Sequence, residues 1–216
     1  MTSAYDRNYL DRARVSLGRM LDYAVYDLNY ELAVFWDLFL ASPVSGQLEC
    51  GDVSVLVGRS GLELALMVTG KESAYSKPIF SQGRSQEYWT GWALAYYQWK
   101  TGLSFSQINE FVPIDEICGM YSPYHEMDIR HFCDAVSELY TERKSQTNLK
   151  RRRLAVGLSQ SQLAGLTGIP VRTIQQYEQG QKDINKARAE YLISLSRALY
   201  CDPRLLLESD LNGNRS

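Results

Sequence analysis

The sequence predicts an all-α chain in which an N-terminal multi-helix domain precedes a small helical bundle, and three observations carry that expectation. β signals are scarce, since Val, Ile and Thr never alternate with polar residues for long. Apolar residues instead recur at three- and four-residue spacings along most of the 216 residues. Composition then changes near residue 141. Residues 1–140 carry 10 Lys and Arg against 18 Asp and Glu, while 141–216 carry 13 against 7, so local net charges of −8 and +6 make up the overall −2. All four Trp, all six Phe and 12 of the 15 Tyr precede residue 141. Two domains with different tasks follow, 1–142 and 147–210, joined through the polar stretch Thr141 to Thr147. The basic one is suited to phosphate and the acidic one is not.

The first element is an amphipathic helix over Tyr9 to Tyr26, with Leu10, Ala13, Leu17, Met20, Leu21, Ala24 and Val25 as its apolar stripe. A second spans Tyr30 to Leu40 and stops at Ser42-Pro43, because proline disfavours helical geometry in the residue before it. Gly51, Gly58, Gly61 and Gly70 then punctuate two shorter helical pieces, with Leu62, Ala65, Leu66 and Val68 as a buried face. Lys71 to Ser85 reads as a loop.

The helix over Glu87 to Lys100 is apolar on nearly all sides and is therefore central. Trp92, Ala95, Tyr96 and Trp99 share one of its faces, and Trp89 lies one turn before. These aromatics fit either plain core or a ligand cage or partner groove, since large rings dominate cores and interfaces alike. Ser104 and Gln107 have the spacing of a capping box. Ser122-Pro123 opens a last helix, Tyr124 to Glu142, with Ile129, Phe132, Val136 and Leu139 or Tyr140 inward.

Chemistry is sparse in this half, and no enzyme is expected. Gly58-Arg59-Ser60-Gly61 lacks the spacing of a nucleophile elbow, and Gly70-Lys71-Glu72 lacks the upstream Gly and the hydroxyl of a phosphate loop. Cys50, Cys118, Cys133 and Cys201 form no C-x-x-C pair and read as reduced thiols buried as small core residues. His125 and His131 stand about 240° apart around a helix, too far to share an ion, so neither metal nor cofactor is expected. His125 is expected near a helix N-terminus beside Glu126. No apolar run reaches the length of a membrane span, and no secretory pattern opens the chain, which predicts a cytoplasmic protein without a membrane partner.

The second half is more explicit. Asn148 to Val156 is a basic helix with Lys150, Arg151, Arg152 and Arg153, closed by Gly157. Ser159 caps a second helix, Gln160 to Thr167, which turns Leu163, Ala164 and Leu166 inward. Gly168 supplies a tight turn, Ile169-Pro170 leads into a third helix from Val171 to Gln179, and Gly180 ends it. Two short helices joined by a Gly-containing turn are the local geometry of a helix-turn-helix unit, which presents its second helix to a DNA major groove.

The run LSQSQLAGLTGIPVRTIQQYEQG over 158–180 resembles the phage repressor and Cro family, often called the XRE family. The likeness extends over 149–207, including Tyr191-Leu192-Ile193, Leu195 and Arg197-Ala198-Leu199, and the Asp202-Pro203 to Leu205-Leu206 ending. It implies a five-helix, lambda-repressor-like DNA-binding domain. In that family, Val171, Arg172, Thr173, Gln175 and Gln176 would stand where bases are read and Gln160 where backbone or a base edge is touched. Residue chemistry agrees: Arg172 suits guanine, Gln175 or Gln176 adenine, and Val171 a thymine methyl. Lys150, Arg151 and Arg152 suit phosphates. Arg153 and Glu178 match positions that pair inside the fold. Pro170 departs from the usual Ser and removes one backbone donor. The resemblance also implies a homodimer on a palindromic operator.

Three pieces of the first half are similar to a helical domain of bacterial regulators encoded in toxin-antitoxin operons: Leu17-Gly18 to Val25, Gly58 to Leu64, and Tyr88-Trp89 to Trp99. That likeness implies a sequence-specific, autoregulating antitoxin-like repressor whose acidic, aromatic-rich first domain covers the basic groove of a cognate toxin. A one-component repressor whose aromatic helices sense a small molecule is the other reading of the same residues.

Overall fold

A computed structural model describes residues 3–71 and 85–208; it is all-helical, with no strand among the described residues. Contacts divide the chain into two units, Met1–Tyr140 and Thr141–Ser216. The interior of the expected loop between Lys71 and Ser85 lies outside the described residues.

The first unit is built around α1 (Leu10–Tyr26), which buries Ser16, Gly18 and Tyr23 along with Leu10, Ala13, Leu17, Met20, Leu21 and Ala24, while Val25 of the expected stripe is only half-buried at the end of the helix. Two helices press on it, α5 (Gly61–Thr69) and α6 (Gln86–Thr101). The contact is close because glycines carry it. A Cβ on Gly91 would lie 2.6 Å from the Leu17 carbonyl oxygen, and one on Gly61 would lie 2.4 Å from that of Ser16. Backbones at that separation leave no room for any side chain.

Between these helices, α2 (Leu32–Ala41) ends at Ser42 as the Ser42-Pro43 pair predicts, but Pro43 also opens α3 (Pro43–Glu49). A first-turn proline forfeits only an N–H that has no intrahelical partner there. α4 (Val53–Leu56) and α5 are the two short pieces that Gly51, Gly58, Gly61 and Gly70 punctuate, and α3 is an additional helix ahead of them. The buried face of α5 is Gly61, Leu64, Ala65 and Leu66, with Leu62 and Val68 half-buried. The start of the helix sets that phase. Ser60 and Glu63 form a reciprocal capping box, and Gly61 must face the α1 backbone.

The expected Ser104–Gln107 capping box starts α7 (Phe105–Phe111). Ser122-Pro123 does not open the last helix. It falls within α9 (Tyr121–Tyr124), which follows α8 (Ile114–Gly119), and α10 (Ile129–Lys144) begins five residues later than expected. There the Asp128 carboxylate accepts from the Arg130 backbone N–H at 2.9 Å and from its guanidinium at 2.9 and 3.1 Å. Hydrogen bonds from Arg130 hold the Asp128 carboxyl down at about 2. His125 consequently sits after α9, stacked on Tyr121 with ring centroids 4.0 Å apart. Its Nδ1 is 2.9 Å from the Tyr121 carbonyl oxygen, which can only accept, so Nδ1 carries the proton.

Cys118 and Cys133 are buried and Cys201 is half-buried, but Cys50 is exposed, against the reading of all four as core residues. Burial pushes the Cys133 thiol up to about 11 and raises that of Cys118. Brief alkylation at pH 8 is expected to label Cys50 first and to reach Cys118 and Cys133 only after unfolding, as read by peptide mass spectrometry. Early labelling of Cys133 would mean that the α6–α10 core opens readily.

The second unit comprises α11 (Asn148–Ala155), α12 (Gln160–Thr167), α13 (Val171–Glu178) and α14 (Ala189–Ala198), with 3-10 turns at Ile184–Lys186 and Pro203–Leu206. Its fifth helical segment is thus a 3-10 turn. Leu149, Leu163, Ile169, Ile174, Tyr177, Ile184, Leu195, Leu199 and Leu206 make the core. Leu166 is 65% exposed rather than inward. On so short a helix only Leu163 reaches the core, with Ala164 and Thr167 half-buried beside it. Among the described residues, no helix is long and apolar enough to cross a membrane.

Candidate nucleic-acid interface

Local sequence dictates how α12 and α13 are held. Ser159 caps α12 by accepting from the Gln162 backbone N–H at 3.1 Å, and Gln162 returns the bond to the Ser159 N–H at 2.8 Å. Gly168 then takes a φ of 70° that a side chain would resist, and Ile169 is buried in the turn. Pro170 caps α13 with φ −55° and ψ 135°, sending the chain directly into the next helix.

On α13, Ile174, Tyr177 and Glu178 are buried, so the opposite side carries whatever the helix presents outward. At about 100° per residue, Arg172, Gln175 and Gln176 share that side within about 60° of Arg172, while Val171 and Thr173 flank it. Arg172 is exposed and the other four are half-buried. Gln179 belongs to the same face and is exposed at the end of the helix. Its spacing, four residues after Gln175 and three after Gln176, was the signal that could have found it.

Behind this face is a buried ion pair. Arg153 Nε and Nη2 donate to the two Glu178 carboxylate oxygens at 2.6 and 2.8 Å, and Nη1 donates to the Leu158 carbonyl at 2.7 Å. The Glu178 hydrogen bond raises the Arg153 guanidinium above its ordinary value. Gln160, the first residue of α12, donates through Nε2 to Glu178 Oε2 at 2.8 Å and accepts from Gln175 Nε2 at 3.3 Å. Gln160 therefore joins the core to the outer face.

The basic residues of α11 do not form one patch. Leu149 and Arg153 point inward, which leaves Lys150 and Arg152 on opposite flanks about 200° apart. Arg151 donates to the Asn148 side chain. Arg152 lies near enough to Cys201 to offset part of the rise that burial imposes on that thiol.

The aromatics of α6 also separate. Trp89 is buried edge-to-face against Tyr121 and Phe132, with ring centroids 5.6 and 5.2 Å apart. Trp92, Tyr96 and Trp99 form a half-buried row on another side. The Arg14 guanidinium lies 3.3 Å above the Trp92 ring and 5.0 Å from that of Tyr96, while Trp99 Nε1 donates to the Tyr5 carbonyl at 2.8 Å. The chain's own cation thus covers the ring face that a ligand cage would need.

A family model described as Helix-turn-helix matches residues 149–206. No curated protein and no solved structure matches the chain. The match makes the second unit a DNA-binding module, and through it the protein is a transcriptional regulator.

Proposed function

We propose that the protein is an autoregulating, antitoxin-like repressor: the module at 147–210 reads an operator as a homodimer, and the domain at 1–142 binds a partner protein. The observation that carries the DNA-reading half is the outward face of α13, where Arg172 and three glutamines stand opposite a well-packed core. Arg172 offers two parallel donors to guanine, and Val171 and Thr173 at its flanks suit thymine methyls. Lys150, Arg151 and Arg152 contact phosphate, and their spread around α11 means that they engage at different points of the backbone. Dimerisation places two such faces one helical turn apart on a palindrome.

The partner-binding half rests on charge. An acidic first domain does not compete for DNA and is complementary to a basic protein surface. The reading in which the α6 aromatics cage a small molecule requires displacement of Arg14 from the Trp92 and Tyr96 rings.

The deciding experiment titrates full-length protein against its own upstream DNA over a range of salt, with and without the product of the adjacent gene. Binding that this product tightens or loosens supports the proposal; indifference removes the partner, and absence of specific binding removes the operator. Within the same assay, Arg172→Ala is expected to relax preference at one base pair by roughly tenfold or more. Arg151→Ala is expected to weaken all sequences alike and to lower the salt slope by about one. Equal losses on every sequence from both changes would refute the role of Arg172.

A further inference from the structure

We propose that Arg14 anchors a carboxylate-binding site in the first unit, which holds an acid with an apolar body beside Trp92, Tyr96 and Trp99. The starting point is a mismatch between burial and hydrogen bonding. A guanidinium carries five N–H donors, and the second unit shows how an enclosed one is met: Arg153, 8% exposed, gives three hydrogen bonds to Glu178 and the Leu158 carbonyl. The Arg14 side chain is nearly as enclosed at 12%, but its buried Nε has no hydrogen-bond partner among the described residues. Its one ion pair is with Asp11, whose Oδ1 lies 3.8 Å from Nη1, beyond hydrogen-bond reach, on a side chain that is 94% exposed. Burial holds the Arg14 guanidinium below its ordinary value, with Asp11 opposing, which is the state of a cation still in need of an anion.

The surroundings of Arg14 select the anion. At 3.3 Å from the centre of the Trp92 ring the guanidinium lies flat on it, so the donors point outward in its plane. Nε is shut off from solvent, which leaves Nη1 and Nη2 as the edge that meets a ligand. A carboxylate is the planar acceptor whose two oxygens match two parallel N–H donors. Asp11 gives way readily, because an exposed pair at that distance is weak. The Tyr96 ring is 5.0 Å from the guanidinium and 5.9 Å from that of Trp99, and both are half-buried, so the row continues as carbon surface for the body of the acid.

An acid engages Arg14 where it stands and leaves the contact with Trp92 intact, whereas a cation would have to expel it. Neighbouring cations do not compete. Arg130 is exposed and spends its guanidinium on Asp128, and Lys100 lies 3.8 Å from Asp134. An enclosed cation kept short of partners is also a cost to stability of the kind that binding sites retain. The carboxylate belongs either to a free organic acid or to the carboxyl terminus of a polypeptide.

The test titrates full-length protein with phenylacetate, with its uncharged counterpart phenylacetamide, and with N-acetylphenylalanine, at constant ionic strength and up to about 20 mM, since one bidentate contact to a small acid supports millimolar affinity. Trp emission is the readout, because all four Trp lie in the first unit. Phenylacetate is expected to change it saturably and to raise the unfolding midpoint it reports, and phenylacetamide to do neither. Arg14→Met keeps a stem over Trp92 and removes the donors, and is expected to weaken phenylacetate about tenfold or more. Arg14→Lys is the second variant should Met fail to fold; it keeps the charge without the paired donors and is expected to lose most of the binding. Arg59→Gln, at an exposed cation beside Glu63, is expected to change nothing. N-acetylphenylalanine binding about tenfold tighter than phenylacetate supports the site as a receptor for a polypeptide terminus, and equal or weaker binding supports it as one for a free acid. A saturable response to neither acid, an equal response to phenylacetamide, acid binding untouched by replacement of Arg14, or an equal loss in Arg59→Gln overturns the site. DNA is absent from this assay, so its failure is distinct from failure of the operator reading.

Discussion

Glu178→Ala is expected to cost the second unit about 3–5 kcal/mol, enough to unfold much of it if its total stability is at the low end of the usual 5–15 kcal/mol. The cause is what remains rather than what is removed. Arg153 makes three hydrogen bonds, two of them to Glu178, and its side chain is only 8% exposed. Truncating Glu178 leaves that guanidinium desolvated beside a void and frees the Gln160 amide as well. A double replacement, Arg153→Met with Glu178→Leu, removes the charge together with its partner and is expected to recover most of the loss. The two units report separately, because all four Trp lie before residue 141. Urea unfolding followed by far-UV circular dichroism should show an early transition, while the Trp fluorescence transition stays in place. A loss below about 1 kcal/mol would mean that water reaches the pair.

The pair also shows what a single sequence can disclose. The turn chemistry of the second unit is local: Ser159, Gly168, Ile169-Pro170 and Gly180 act on their immediate neighbours, so their consequences are legible residue by residue. The hydrogen-bond network behind the reading face is not local. Arg153 and Glu178 are 25 residues apart, and Gln160 and Gln175 are 15, so only packing shows that four side chains form one network. Exposure on short helices was misjudged for the same reason. Leu166 looks like core by composition, but α12 has room to bury one leucine, and Leu163 takes it. In the first unit, periodicity located α1, α6 and α7, where the apolar signal is long or the cap explicit. It missed α3 and α8, which are too short to display a period, and it put the start of α10 at a proline when a carboxylate five residues later sets it. Which aromatics lie together was beyond spacing. Trp89 and Trp92 are three apart on one helix, but tertiary neighbours assign them to different surroundings, Phe132 for one and Arg14 for the other.

The first unit has its own point of greatest sensitivity, and it is a residue with no side chain. Gly91→Ala is expected to destabilise that unit by about 3 kcal/mol, at the upper end for overpacking. In an exposed helix the same change would stabilise by up to about 1 kcal/mol, because alanine is the better helix former. At Gly91 the added carbon would lie 2.6 Å from the Leu17 carbonyl oxygen, 2.7 Å from its carbon and 2.8 Å from the Gly18 nitrogen. All three are backbone atoms, so no rotamer change relieves the contact. The helix opposite offers no slack either, since a Cβ on Gly18 would meet the Tyr88 carbonyl oxygen at 2.7 Å. Relief therefore requires α1 and α6 to move apart along their length. That motion would loosen the packing of Leu17, Leu21 and Leu94, and would draw Arg14 away from Trp92. The measurement is thermal unfolding followed by Trp fluorescence, in which Gly91→Ala should lower the midpoint of the first unit and leave the circular dichroism change of the second in place. A midpoint that rises would show that α1 and α6 are not in backbone contact, and with it would fall the account of why glycine, rather than any apolar residue, stands at the centre of the most aromatic helix in the chain.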